Sequence, residues 1–240
     1  MSERRRAISL TILTSAAALL MVAGPVDASR PGESRAPVDS GTVIVNARAA
    51  TPASPDVFGT VALDAGVTAD GARWRRVSAA DENDPRIRTL AAAAVATGAD
   101  PLARLTAIHS DVGHRVVWQR DLDTYSISDY WAQAGETLTR GKGDSEDIAI
   151  VKMQVLKAAG FAPRDIYLSI GRDQSRGSDT LLLVRVGGNF YALDDRSPQP
   201  FRATSGMQFK PVITLGRNSA WIHGRRTAAR QARTVAATLR

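Results

Sequence analysis

Polar residues that could do chemistry stand at the head of the most apolar helical stretch in the chain. Asp144, Ser145, Glu146 and Asp147 precede a run in which apolar residues recur at helical spacing up to Gly160. The three carboxylates suit the positive end of a helix, and Asp144 can cap it. The Ser145 hydroxyl is a possible nucleophile, but it is too weak an acid to ionise there and needs a general base within hydrogen-bond reach.

The residue types that usually supply a nucleophile or a general base are scarce in this chain. The chain has no cysteine, which excludes a thiolate nucleophile, a cysteine metal site and a disulfide. Its three histidines, His109, His114 and His223, lack metal-ligand spacing, and each is predicted to be structural or solvated.

Three helices are predicted to position these residues. The Ala-rich run 85–97 ends at Gly98, and a second helix begins at the Asp100 cap with Pro101 behind it and runs to about Asp111. The third helix follows Asp144, and its wide apolar surface predicts a central position. Residues 116–118 fit either a helix or a strand.

The pattern then changes to strands. Residues 166–170, 180–186 and 189–193 are β-rich, and Gly187-Gly188 suits a tight hairpin between the last two. Helices followed by an antiparallel sheet predict an α+β fold.

The ends of the chain differ from its centre. Arginines followed by an apolar run predict a signal peptide over residues 1–28 rather than a membrane anchor, and so a periplasmic or secreted protein. Residues 29–55 have the composition of a disordered leader, which leaves a domain at 56–216.

The remaining residues, 217–240, read as a basic tail. No acidic residue follows Asp195, whereas nine basic residues do. We expect this tail to be solvated or in weak contact with an anionic membrane, and we do not predict nucleic-acid binding.

The segment YWAQAGETLTRGKGDSEDIAIVKMQVLKAAG (130–160), followed by TLLLVRVGGNFYALDD (180–195), resembles the bacterial transglutaminase-like cysteine peptidases. That family includes periplasmic, calcium-dependent proteases that release biofilm adhesins. The resemblance covers roughly residues 57–215 and implies a papain- or transglutaminase-like core, with a central helix packed on an antiparallel sheet.

The differences from the family fall on its catalytic positions. Ser145 stands where the family has its nucleophilic cysteine, and Asp179 stands where it has the histidine base. Asp194 matches the acid that orients this histidine. An aspartate with an ordinary pKa near ~4 is a poor general base at neutral pH, and loss of triad members costs roughly 10⁴–10⁶ in kcat.

The resemblance also implies roles for other residues. The calcium-dependent members use acidic residues around the nucleophile as ligands, so Asp144, Glu146 and Asp147 become candidate calcium ligands as well as capping groups. Trp131 and Glu136 match the segment before the motif. Trp131 is expected either to line the cleft or, as for most large aromatic residues, to pack in the core.

We therefore predict a pseudoenzyme that binds a protein or peptide, such as a surface adhesin or a membrane regulator. Two alternatives stay open. One is a hydrolase that uses Ser145 as its nucleophile, and the other is a structural envelope component held by the basic tail.

Overall fold

The computed structural model describes residues 54–66, 71–79, 81, 83–175 and 177–225. All of them belong to the unit Ala47–Arg240. The predicted signal peptide and residues 29–53 of the predicted leader lie outside the described residues. No helix within the described part is long and apolar enough to cross a bilayer.

The described residues form six α-helices and one 3-10 turn. These are α1 Gly71–Ser78, α2 Pro85–Ala96, α3 Pro101–Arg115, α4 Asp121–Tyr125, α5 Ala134–Arg140, α6 Ser145–Ala158 and the turn Pro163–Asp165.

Helices α2 and α3 begin in the same way. The side chains of Asp84 and Asp100 accept hydrogen bonds from backbone N–H groups of the first turn, and a proline follows each aspartate. Helix α2 confirms the prediction from the sequence, whereas α3 continues four residues beyond the expected end at Asp111. Gly113 lies within α3, and Val112 beside it is buried, so packing outweighs the low helix propensity of glycine.

Helix α6 is the centre of the core. The Asp144 side chain accepts a hydrogen bond from the backbone N–H of Asp147, and every residue from Asp147 to Leu156 is buried. The helix packs against α2, α3 and α5 and against the sheet. The predicted central position of this helix is confirmed.

Seven strands form one antiparallel sheet, in the order β1-β9-β8-β4-β5-β6-β7. They are β1 Val61–Asp64, β4 Ile166–Asp173, β5 Gly177–Val186, β6 Asn189–Leu193, β7 Phe201–Arg202, β8 Phe209–Leu215 and β9 Ala220–Gly224. Gly187 and Gly188, both at positive φ, form the predicted hairpin turn between β5 and β6. The fold is α+β, as predicted, with α6 packed on this sheet.

The predicted domain boundary at residue 216 falls inside a hairpin. Strand β9 pairs with β8 on one side and with β1 on the other, and Trp221 within it is buried. The described part of the predicted tail, 217–225, therefore belongs to the fold. The charge pattern suggested a tail, but Ala220 and Trp221 supply the apolar side chains that hold this segment in the sheet.

Candidate functional site

A short parallel ladder brings a tryptophan to the start of α6. Strand β2, Val117–Trp118, pairs with β3, Lys142–Gly143, so that Trp118 lies opposite the glycine just before the helix cap. The Trp118 indole N–H donates a hydrogen bond to Ser145 Oγ at 3.3 Å. Ser145 is 6% exposed and Trp118 46% exposed, so the hydroxyl lies beneath a partly open aromatic wall.

The second neighbour of the hydroxyl is the segment after β6. Ser145 Oγ donates to Asp195 Oδ2 at 3.1 Å, and an Arg196 guanidinium N–H donates to Ser145 Oγ at 3.4 Å. The same guanidinium lies 3.6 Å from Asp179 Oδ1, 3.8 Å from Asp195 Oδ1 and 5.7 Å from the centre of the Trp118 ring. We call Ser145, Asp179, Asp195, Arg196 and Trp118 the serine cleft.

The structure brings Ser145 and Asp179 to the same guanidinium but shows no hydrogen bond between them. Asp194 lies one residue beyond the end of β6, and its Oδ1 accepts the backbone N–H of Arg196 at 2.9 Å. The carboxylate that bonds Ser145 is therefore that of Asp195 and not that of Asp194. Asp195 lies in the turn after β6, where the Ser197 N–H donates to the Asp194 carbonyl at 3.1 Å, so this turn determines which carboxylate meets the hydroxyl.

Burial sets the electrostatics of this carboxylate. Burial raises the pKa of Asp195 to about 6, with a further rise from its hydrogen bond to Asp194, while Arg196 and Ser145 oppose the shift. Asp195 is thus a stronger base than an ordinary aspartate, and it is the only carboxylate with a hydrogen bond to the hydroxyl among the described residues.

A lysine and a histidine lie buried behind the cleft. Lys152 is two helical turns after Ser145 on α6 and is 1% exposed. Burial lowers its pKa to about 8, against the opposing influence of Asp195 and Asp194. Burial and the nearby Lys152 lower the pKa of His109 to about 4, so the ring is neutral and donates from Nε2 to the Ser197 carbonyl at 2.7 Å.

The other histidines also bond away from Ser145. His114 lies 3.5 Å from Ser110 Oγ on the surface of α3, and His223 lies between Thr60 Oγ1 and Thr214 Oγ1 in the sheet. None of the three is hydrogen-bonded to the hydroxyl. The serine cleft therefore has no imidazole base in contact with its nucleophile position.

An acidic cluster lies beside the cleft. Carboxylate oxygens of Asp121, Asp144 and Asp147 come within 4.8 Å of one another. Glu146 accepts a hydrogen bond from Thr180 Oγ1 at 2.9 Å and reaches the cluster through the Asp144 carboxyl. Of the three predicted calcium ligands, Asp144, Glu146 and Asp147, the structure groups Asp144 and Asp147. The third carboxylate of the cluster is that of Asp121, from the first turn of α4.

Burial and mutual repulsion disfavour the ionised forms of the carboxyls in this cluster. Burial and repulsion from neighbouring carboxylates raise the pKa of Asp144 to about 9 and that of Asp147 to about 7. Asp121 Oδ1 and Asp147 Oδ2 are buried without a hydrogen-bond partner. Hard oxygens of this kind suit Ca²⁺, which takes 6–8 oxygen ligands, so the residues fit such an ion.

Trp131 lies in the core and not at the hydroxyl. It is 2% exposed, the Arg73 guanidinium lies 4.9 Å from its ring centre, and its carbonyl accepts from Arg76. The next residue, Ala132, donates its backbone N–H to Asp147 Oδ1 at 2.7 Å. This segment therefore supports the acidic cluster through its backbone, and Trp118 is the tryptophan of the cleft.

Sequence reasoning missed Asp121, Trp118, Lys152, Asp195 and Arg196. Asp195 and Arg196 directly follow the matched Asp194, so the adjacent acidic pair was a signal for the first of them. Lys152 interrupts an apolar helix, which is a signal for a buried charge. No local pattern indicates Asp121, because it reaches the cluster only through the tertiary fold.

The fold and site together define a class of protein. A nucleophile position opens a buried helix, and the adjacent antiparallel sheet supplies the other polar groups, as in thiol hydrolases of the papain type. The sequence profile described as bacterial transglutaminase-like cysteine proteinase matches residues 65–210. The chain belongs to this family.

Solved structures add similar but distant folds. LapG of Legionella pneumophila, in an EGTA-treated form, is 20% identical with a TM-score of 0.48, over 59% of this chain and 86% of that one. Calcium-bound LapG is 18% identical with a TM-score of 0.43, over 62% and 97%. A structure described as a TGase is 11% identical with a TM-score of 0.37, over 55% and 34%. No curated protein sequence gives a significant match.

Proposed function

We propose that this chain is an exported, non-catalytic member of the family whose serine cleft binds a peptide segment of another protein. The observation that carries the proposal is the position of Arg196. Its guanidinium contacts Asp179, Asp195 and Ser145 at 3.4–3.8 Å and so occupies the centre of the former catalytic site.

This arrangement disfavours nucleophilic attack. The family mechanism needs a thiolate, and a serine at the same helix end gains only ~0.3–1 kcal/mol from the helix dipole, which does not ionise it. Asp179 is ion-paired with Arg196, and an aspartate is a poor replacement for an imidazole base.

The rim of the cleft is suited to binding. Trp118, which bonds Ser145 and lies against Arg196, is a large aromatic residue that is 46% exposed. Aromatic and apolar groups around a polar centre are typical of the residues that dominate protein interfaces. A peptide could place an apolar side chain against Trp118 and a carbonyl or carboxylate near Arg196.

The test uses a peptide that spans the cleavage site of an adhesin cut by an active member of the family. Calorimetry should show binding without cleavage, and Trp118→Ala should weaken it tenfold or more, about 1.4 kcal/mol. Ile222→Ala, which removes an equally exposed apolar side chain on β9, is the matched control. Absence of binding, or the same loss in both variants, would contradict the proposal.

One observation favours hydrolysis as a second candidate function. Ser145 donates to Asp195, whose pKa is raised to about 6, so this carboxylate is the best base that the cleft offers. In that case a fluorophosphonate should label Ser145, and Ser145→Ala should abolish both labelling and peptide turnover. Unlabelled wild-type protein without turnover would remove this candidate.

We further propose that the acidic cluster binds Ca²⁺. Three carboxylates converge, two of their oxygens are buried without a hydrogen-bond partner, and burial raises the pKa of Asp144 and Asp147. A bound dication would supply the missing positive charge. Calorimetric titration should show one site, weakened at least tenfold in Asp121→Asn but not in Asp129→Asn; a flat wild-type titration would dismiss it.

Export rests on the N-terminal sequence. We propose cleavage after Ala28, and mass spectrometry of the protein from the periplasm should find Ser29 as its first residue. Recovery of the full-length chain from the cytoplasm would contradict export without affecting the proposal for the cleft.

A further inference from the structure

A second cavity lies at the opposite end of α6 from the serine cleft. It has a volume of about 430 Å³ and is enclosed by α1, the second half of α6, the chain around the start of β4 and the β8–β9 turn. This is within the usual range of roughly 300–1,000 Å³ for small-molecule sites. We call it the basic cavity.

The floor of the basic cavity is apolar. Trp74, Met153 and Ile166 line it and are 4%, 1% and 2% exposed. The Trp74 indole N–H donates to the Gly216 carbonyl at 2.6 Å, which fixes the ring at the base of the β8–β9 turn. The floor is therefore built from ordered parts of the core.

The rim is cationic. Arg75, Lys157 and Arg217 line the same cavity, and none of the lining residues in the described part of the chain is acidic. Lys157 Nζ donates to the Ser78 carbonyl at 2.6 Å and is thereby held at the edge. Arg75 and Arg217 are exposed, and neither has an ion pair with any described carboxylate.

We propose that the basic cavity binds a small amphiphilic anion, with its carboxylate or phosphate group against the arginines and its apolar part on the Trp74–Ile166 floor. Guanidinium groups match the geometry of both anions and can bind them in a bidentate manner. An apolar floor with a few charged groups at one side is the usual composition of a small-molecule site.

This site is separate from the serine cleft. Ser145 and Lys157 are twelve residues apart on α6, which corresponds to roughly 18 Å along the helix axis at ~1.5 Å per residue. Binding in the basic cavity therefore does not depend on the function proposed for the cleft.

Calorimetry on the full chain tests the proposal with decanoate and decyl phosphate, each below its micellar concentration. Decyltrimethylammonium has the same tail with the opposite charge, while acetate and inorganic phosphate have the head group alone. We expect binding of at least one anionic amphiphile and at least tenfold weaker binding of the three comparison compounds. The preferred head group identifies the class of ligand.

Variants then locate the site. Arg75→Gln with Arg217→Gln should weaken binding of the preferred anion at least tenfold. Arg88→Gln with Arg115→Gln, which removes the same charge from exposed positions of α2 and α3, should leave it unchanged. Equal binding of the cationic amphiphile, equal effects of the two double variants, or no binding of either anion would overturn the proposal.

Discussion

Arg196 determines what the serine cleft can do at the scale of single residues. It is the cation that Asp179 and Asp195 share, and it also reaches the hydroxyl of Ser145. Because Asp179 has a side chain with 0% exposure, this ion pair balances a charge that would be costly to bury alone. Ser145, Asp179, Asp195 and Arg196 thus form a small polar network at the start of α6.

Arg196→Gln should therefore destabilise the protein. Loss of one partner of a fully buried pair costs roughly 3–5 kcal/mol, but Arg196 is 30% exposed and its contacts are long, so we expect about 1–2 kcal/mol. Urea unfolding measures this change. In an Asp179→Asn background the cost should shrink, and the same cost in both backgrounds would show that the two residues are not coupled.

The acidic cluster should make stability depend on pH. The folded-state pKa of Asp144, about 9, and that of Asp147, about 7, lie above the ordinary value of 3.8. At these two carboxyls the folded state binds more protons than the unfolded state, so their contribution to stability is greatest at low pH and is lost as pH rises toward 9.

We expect Asp144→Asn, which keeps a capping side chain but removes the charge, to flatten this dependence. Urea unfolding in EDTA at a series of pH values from 5 to 9 measures it. A slope that is the same in wild type and variant would contradict the raised pKa of Asp144.

The junction of β3 and α6 controls the site at the scale of elements. Gly143 ends β3, and a Cβ at this position would lie 2.6 Å from Asp147 Cβ and 2.7 Å from Asp147 Oδ2. Only glycine lets the strand approach the first turn of α6 so closely. The glycine before the acidic run therefore shapes both the helix start and the acidic cluster.

Gly143→Ala should destabilise the protein by about 1–3 kcal/mol, as expected for an overpacked core, and should weaken any calcium binding by displacing Asp147. Gly113→Ala is the matched control, because Gly113 is exposed within α3 and has no atom within 4 Å of a new Cβ. It should instead stabilise by about 0.5–1 kcal/mol. Similar effects of the two substitutions would refute the close approach.

At the scale of the whole molecule, basic residues continue beyond the part of the chain that the structure describes. The last strand among the described residues ends at Gly224, whereas five arginines follow at positions 225, 226, 230, 233 and 240. Residues 217–224 complete the sheet, so a membrane role is proposed only for the chain beyond them.

Removal of residues 226–240 should leave the melting temperature unchanged and lower the formal net charge from +7 to +3. Each basic residue near an anionic surface contributes about 1 kcal/mol, so we expect at least tenfold weaker binding to phosphatidylglycerol vesicles. Zwitterionic vesicles serve as the control. Unchanged partitioning would rule out the tail as a membrane contact.

The sequence by itself determined the local elements and the missing chemistry. Asp84-Pro85 and Asp100-Pro101 begin helices, and Gly187-Gly188 closes a hairpin, because capping and turn formation depend on adjacent residues. The sequence contains no cysteine, and this alone excludes a thiolate nucleophile.

Only the tertiary structure decided which groups meet. It placed Asp195 rather than Asp194 at Ser145, added Asp121 to Asp144 and Asp147, and joined β9 to β1 across the length of the domain. These contacts depend on strand register and on loops that close over long sequence distances. Patterns among neighbouring residues carry no information about strand register or loop closure. The composition of the site therefore depends on the tertiary structure.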